Sequence, residues 1–324
     1  MDSIAEDGLS QASTHRSICR VENGMGACQA MMELDYFVVD VFTHTALQGN
    51  PLAVVMDTAG LTTERMQAIA REFNLSETTF VQRRPEAVER AEGVRVRIFT
   101  TQEELNFAGH PTLGTASVLR LKAPDTLHDA TVTLALNVGP VPVRFQSNEF
   151  FGQMTQPDPE FGDAMGPAEV ARLIGLAVED LDPALPPRCV STGTPFAIVP
   201  LRSTEALARL SFNQEQATRW LRSRGARWFY VLGPTGHDAP AWRARMQFDG
   251  GEDPATGSAA GCAISYLVFG GAVKAGQTIH LRQGVEIGRP SDLFLSAQVE
   301  SAKVTDVRVG GSTVPVATGR LFLP

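Results

Sequence analysis

One pattern occurs twice in this chain, and it limits the available folds more than any other feature. His110-Pro111-Thr112-Leu113-Gly114-Thr115-Ala116-Ser117 aligns without gaps on Asp253-Pro254-Ala255-Thr256-Gly257-Ser258-Ala259-Ala260. Each copy follows a strand-like run, Val94 to Phe99 or Ala241 to Phe248, and leads into an apolar helix. A recurring strand, tight Gly/Pro front and buried helix is the mark of an internal duplication. The second front, Gly250-Gly251-Glu252-Asp253-Pro254-Ala255-Thr256-Gly257-Ser258, is small enough for a ligand to touch its backbone. A loop of this kind presents unpaired N–H groups to an anion. At the matched positions the charge differs only at His110 against Asp253, which is where the chemistry of the halves should diverge.

A length of 324 residues suits two domains rather than one core. We expect a first domain over 34–125 with a C-terminal strand at about 316–324, and a second over 126–315. Residues 1–33 lack periodicity and the apolar centre of a signal peptide, and are expected to be a disordered extension without a role. With a formal net charge of −8 and no Lys/Arg cluster, nucleic acid is excluded as a partner. The longest apolar run, Ala259 to Val273, is broken by glycines and too short to span a membrane. Cys19, Cys28, Cys189 and Cys262 show no metal-ligand spacing, so the reading is no metal and reduced thiols in a cytoplasmic protein. Cys262 reads as inert core. P-loop, Rossmann and zinc motifs are absent, which leaves nucleotide and metal chemistry without support.

Local patterns place the remaining elements. Thr62 to Phe73 is an amphipathic helix with Met66, Ile69, Ala70 and Phe73 on one face and a Thr cap. Gln48-Gly49-Asn50-Pro51 is a turn, and Ser76 to Val81 a strand. Glu77 is unusual in that strand; composition alone reads it as a solvated strand-end carboxylate. Thr131 to Phe145, broken at Gly139-Pro140, reads as a hairpin opening the second half, and Pro167 to Gly175 and Thr204 to Arg222 as surface helices. Ser191 to Phe196 is a loose counterpart of Ser76 to Phe80, with Gly193 matching Glu77. Strand follows strand far more than helix, so parallel βαβ units are not expected.

These residues together resemble the PhzF-like family of phenazine-biosynthesis isomerases, whose fold is shared with diaminopimelate epimerase. The resemblance covers nearly everything from Leu34 onward. It rests on Val39-Asp40-Val41-Phe42 with Gly49-Asn50-Pro51, on Ser76 to Val81, on Phe107 to Ala116 and on Glu252 to Ala259. It implies an α+β fold of two pseudo-symmetric domains, each a curved, mainly antiparallel sheet or barrel around a central helix (Thr112 to Leu121; Gly257 to Phe269), with the site between them. Family members usually carry Pro where Asn106 stands, a departure expected to alter only a loop. Relatives that epimerise amino acids use a pair of opposed cysteines, and no cysteine here is placed for that work. The resemblance instead makes Glu77 the general acid/base, with His110 and Asp253 as catalytic partners and Ser76, Gly109, Gly257 and Ser258 as substrate-binding residues. It further implies a homodimer acting on a small carboxylic acid without a cofactor. A Glu enclosed in a closing cleft loses hydration and becomes basic enough to take a proton from carbon. Two rival readings are a Ser258–His110–Asp253 hydrolase, although Thr256-Gly257-Ser258-Ala259-Ala260 is not a nucleophile elbow, and a non-catalytic binding or scaffold protein.

Overall fold

The aromatic and β-branched run ahead of the first turn forms β1 (Met32–Val41), beginning two residues before the expected Leu34. In this computed structural model the described residues are 31–122, 130–146, 150–211, 213–237, 241–248 and 251–323. The expected extension therefore lies outside them up to residue 30, as does Gly250 of the second front. After β1 come β2 (Asn50–Val55), α1 (Thr63–Phe73), β3 (Glu77–Gln82), α2 (Glu86–Glu92), β4 (Val94–Phe99) and β5 (Glu104–Leu105). The first half continues with α3 (Gly109–Lys122), β6 (Thr131–Leu136), β7 (Gly139–Phe145) and β8 (Phe151–Gln156). Its helix α1 starts where the Thr62 hydroxyl accepts from the Arg65 N–H and stops at Asn74, in the left-handed region at φ 51°.

The second half runs through β9 (Glu160–Ala164), α4 (Pro167–Ile174), β10 (Arg188–Ser191), β11 (Pro195–Pro200), α5 (Gln214–Ser223), β12 (Trp228–Pro234) and β13 (Trp242–Arg245). There follow β14 (Gln247–Phe248), β15 (Gly251–Glu252), α6 (Gly257–Phe269), β16 (Ile279–Gln283), β17 (Ser291–Glu300) and β18 (Lys303–Leu323). The single helix expected over Thr204 to Arg222 is instead a 3-10 turn, Glu205–Arg209, and a separate α5 capped by Asn213. The Asn213 side chain takes the Gln216 N–H and so starts a new helix.

Eight strands close into a barrel in the order β1-β2-β3-β4-β6-β7-β8-β18 and back to β1. Inside it lies α3, buried from Gly109 to Leu119. A helix wrapped on every side needs no polar face, which is why this segment carries small and apolar residues around its whole circumference. From β18 the same sheet continues through β17, β16, β13, β12, β11, β10 and β9 around α6, buried from Gly257 to Val268. Leu113, Leu134, Ile264 and Leu295 are fully enclosed, each contributing roughly 1.5–3 kcal/mol.

Three expectations need correction. The hairpin β6–β7 does not open the second half: β6 pairs with β4 and β7 with β8, within the barrel. On strand pairing the division between the halves moves from 125/126 to the 156–160 connection. Parallel pairs do occur, β2 with β3, β4 with β6, β11 with β12 and β13 with β16. The reason is that a helix (α1, α3, α5 or α6) connects the members of each pair and carries the chain back to the end at which it started. These pairs also fix the true counterparts. Leu52 pairs with Glu77 and Phe196 with Trp228, so Glu77 corresponds to Trp228, and Gly193 corresponds to the turn glycine Gly49.

Candidate active site between the two helix fronts

Two parallel strands bring the first residues together. Because β2 and β3 run the same way, with Leu52 opposite Glu77, Asn50 and Glu77 emerge at one end of the barrel. The turn ahead of Asn50 requires Gly49, at φ 70°, where an added Cβ would stand 2.4 Å from the Val41 carbonyl oxygen. At the same end α3 presents its first turn, tied to β3 by the Thr79 and Thr115 hydroxyls at 2.8 Å.

The second half supplies a matching front. Helices α3 and α6 start at Gly109 and Gly257, so His110 and Ser258 are each the second residue of a helix. The gapless alignment of His110 with Asp253 is therefore not the spatial equivalence. The two helix ends abut: a Cβ on Gly109 would lie 2.7 Å from the Ser258 nitrogen and 2.8 Å from the Gly257 Cα. Two positive helix ends converge at one place, and Thr256, the α6 cap residue, caps no N–H with its side chain. Helix N-termini arranged in this way can hold an anion such as a carboxylate.

Around it stand the titratable groups. The Glu77 carboxyl oxygen Oε2 lies 3.4 Å from His110 Nε2, and neither atom has a hydrogen-bond partner although both are buried. Burial, and next the Asp253 charge, push the Glu77 carboxyl up to about 8, with Arg227 opposing. Burial holds the His110 ring neutral, its pKa lowered to about 3. Asp253 is raised to about 6 by burial, against hydrogen bonds from Thr256 and Asn50. Both of its oxygens are occupied, Oδ1 by Asn50 Nδ2 at 2.7 Å and Oδ2 by the Thr256 hydroxyl at 2.6 Å. The loop carrying it is held by Gln283, whose amide donates to the Asp253 carbonyl and accepts from the Thr256 N–H and the Tyr230 hydroxyl.

Glu77, His110, Asp253, Gly109, Gly257 and Ser258 thus meet across the two halves, and Ser76 sits half-buried ahead of β3. The hydrolase trio is not assembled. Among the described residues, His110 reaches Asn50 and Glu77, Asp253 reaches Asn50 and Thr256, and no hydrogen bond joins Ser258 to His110. Cys262 is fully enclosed in α6 and its thiol is pushed up to about 12 by burial, so it supplies no thiolate. Asn106 is exposed in the connection to α3, where its carbonyl accepts the Val138 N–H. From the sequence Asn50 reads as a turn residue, and Thr256, Gln283 and Tyr230 carry no assigned role; only the Gly49-Asn50-Pro51 turn and the repeated Pro-x-x-Gly pattern hint at the first two.

Residues 39–319 match the sequence profile of the family described as phenazine biosynthesis-like protein. The trans-2,3-dihydro-3-hydroxyanthranilate isomerase of Pseudomonas aeruginosa is 36% identical over 294 residues, 89% of this chain and 99% of that protein. A Bacillus anthracis phenazine biosynthesis protein of the PhzF family superposes with a TM-score of 0.78 at 29% identity, covering 90% of this chain and 99% of that one. A hydroxyproline epimerase from Agrobacterium vitis shares the fold at TM-score 0.60 and 11% identity, over 90% of this chain and 93% of its own.

Proposed function

This chain belongs to the phenazine biosynthesis-like family and is an isomerase, and from that premise we propose that it moves a proton between two carbons of a small, cyclic carboxylic acid, with Glu77 as the carrier. The observation that supports this best is the unpaired, buried Glu77 Oε2 beside two converging helix fronts. The substrate carboxylate docks on the first-turn N–H groups at Gly257 and Ser258. Glu77, as carboxylate, takes a proton from carbon; the C–H electron pair is left as an enolate-like anion, stabilised by the helix ends. Glu77 then returns the same proton to the second carbon, so no cofactor is consumed and the enzyme is regenerated. Desolvation makes this carboxylate a stronger base than an exposed one.

The test is Glu77→Gln with trans-2,3-dihydro-3-hydroxyanthranilate and related cyclic carboxylic acids. Binding should survive while turnover falls by about 10²-fold or more. Turnover by the wild-type protein in deuterated water should place solvent deuterium on the product only to the extent that the proton exchanges while it is on Glu77, so a fully shielded transfer leaves the product unlabelled. Full activity of the Glu77→Gln protein removes the mechanism. Family kinship also makes the protein a cytoplasmic homodimer in this reading; among the described residues no helix is long and apolar enough to cross a membrane. Light scattering at micromolar concentration tests the dimer, and a monomer would count against it.

A further inference from the structure

Asn50 is fully buried and stands between the two acid/base candidates, with its Nδ2 2.7 Å from Asp253 Oδ1, 2.9 Å from the Ala255 carbonyl oxygen and 3.2 Å from His110 Nδ1. The amide orientation is forced, because turning it over would set its oxygen against a carboxylate and a carbonyl at hydrogen-bond distance. The NH₂ group has two hydrogens for three acceptors, so one is shared between His110 Nδ1 and a nearer oxygen; because the amide nitrogen accepts nothing, a ring N–H aimed at it from 3.2 Å would meet only donors, and the form that fits carries the lone pair on Nδ1. We propose that Asn50 is a positioning residue that fixes His110 as the Nε2–H tautomer, so that the histidine faces Glu77 as a hydrogen-bond donor and not as a proton acceptor.

The consequence changes the role of His110. A neutral ring with hydrogen on Nε2 cannot take the proton that Glu77 carries. It can only donate, to the Glu77 carboxylate 3.4 Å away or to an oxyanion formed between them. Such contacts are often long in the unliganded enzyme and shorten when substrate is bound. The proton therefore stays on Glu77 between its two carbons, without leaking along His110. Asn50 performs this from the first half while anchored to Asp253 and Ala255 of the second, so the tautomer is set only when the two halves are docked.

The kinetic arm of the test rests on the Glu77 reading; the spectroscopic arm does not. Long-range ¹H–¹⁵N correlation spectra of the wild-type protein, with the His110 signals identified by comparison with His110→Gln, should show the pattern of an Nε2–H imidazole. An Nδ1–H pattern, or an even mixture, overturns the proposal. Asn50→Asp places an acceptor against Nδ1, and should convert the ring to Nδ1–H or to the doubly protonated form. It should lower kcat about 10- to 100-fold with a smaller change in KM. An unchanged tautomer in Asn50→Asp also overturns it, and should that variant fail to fold the wild-type spectrum still decides. If Glu77→Gln keeps its activity while the Nε2–H spectrum is found, the proton-shuttle reading fails and the tautomer assignment stands.

Discussion

At the scale of single residues, Glu77 and His110 place opposite demands on pH. Glu77 has a folded-state pKa of about 8, above its ordinary 4.5. The folded protein thus holds that proton more tightly than the unfolded chain, and the stabilisation is full below 4.5 and lost as pH rises through about 8. Glu77→Gln cannot ionise and should escape that loss. Its melting temperature relative to wild type should rise by at least about 2 °C between pH 5 and pH 9 in calorimetry. A constant difference would show that Glu77 is solvated. His110, lowered from 6.5 to about 3, works the other way, and its stabilisation is lost as pH falls through that window. For catalysis Glu77 must be ionised, so kcat/KM should climb with pH, pass half its maximum near 8 and level off above that. A plateau already reached at pH 6 would mean that Glu77 keeps an ordinary carboxylate pKa.

At the scale of elements, two helix ends pressed together leave no room for a side chain. A methyl at Gly109 would meet backbone atoms of Gly257 and Ser258 at 2.7–2.8 Å, and backbone cannot swing aside. A methyl at Gly257 would meet Gly109 Cα, Met154 Cε and Phe42 Cζ at 3.2 Å, a looser fit in which the methionine end can move. Gly109→Ala should therefore destabilise by about 1–3 kcal/mol and weaken carboxylate binding more than Gly257→Ala does. Denaturant unfolding and ligand titration of the two variants would read this; equal effects would mean that the fronts separate freely. Both helices were readable beforehand from their apolar runs. Their head-to-head meeting was not, since no residue in either copy encodes the distance to the other.

Across the whole molecule, the site depends on how the halves are joined. Arg289, in the second half, donates to the Gln48 and Gly49 carbonyls and to Asp40, a nearly buried carboxylate of β1. Asp40 in turn accepts the Leu47 N–H. This cluster clamps the turn that aims Asn50 at His110 and Asp253. Arg289→Met should cost about 3 kcal/mol, because it strands a buried charge, and should lower turnover even though residue 289 touches no proposed substrate group. Unfolding and steady-state kinetics on the same sample check both, and wild-type kinetics in a destabilised protein would separate the clamp from the site.

The sequence by itself determined that a strand, front and helix recur, though not their register, and it determined the two buried helices, the amphipathic α1 with its Thr62 cap, and the membership that points to Glu77, His110 and Asp253. Each of these is written in local pattern, in periodicity, cap chemistry or a short motif, and local pattern survives without tertiary contacts. Strand partners were not legible. The β6–β7 hairpin looks the same whether it pairs with β4 and β8 or opens a new domain, and the parallel pairs are created by where the connecting helices pack. The roles of Asn50, Thr256, Gln283 and Arg289 were likewise hidden, because a polar side chain acquires its function only when folding removes water and leaves it a single set of partners. Glu77 shows the same division: its identity as a candidate came from the motif, while its raised pKa came from burial and from Asp253, which is 176 positions distant in the chain and its neighbour only in the folded protein.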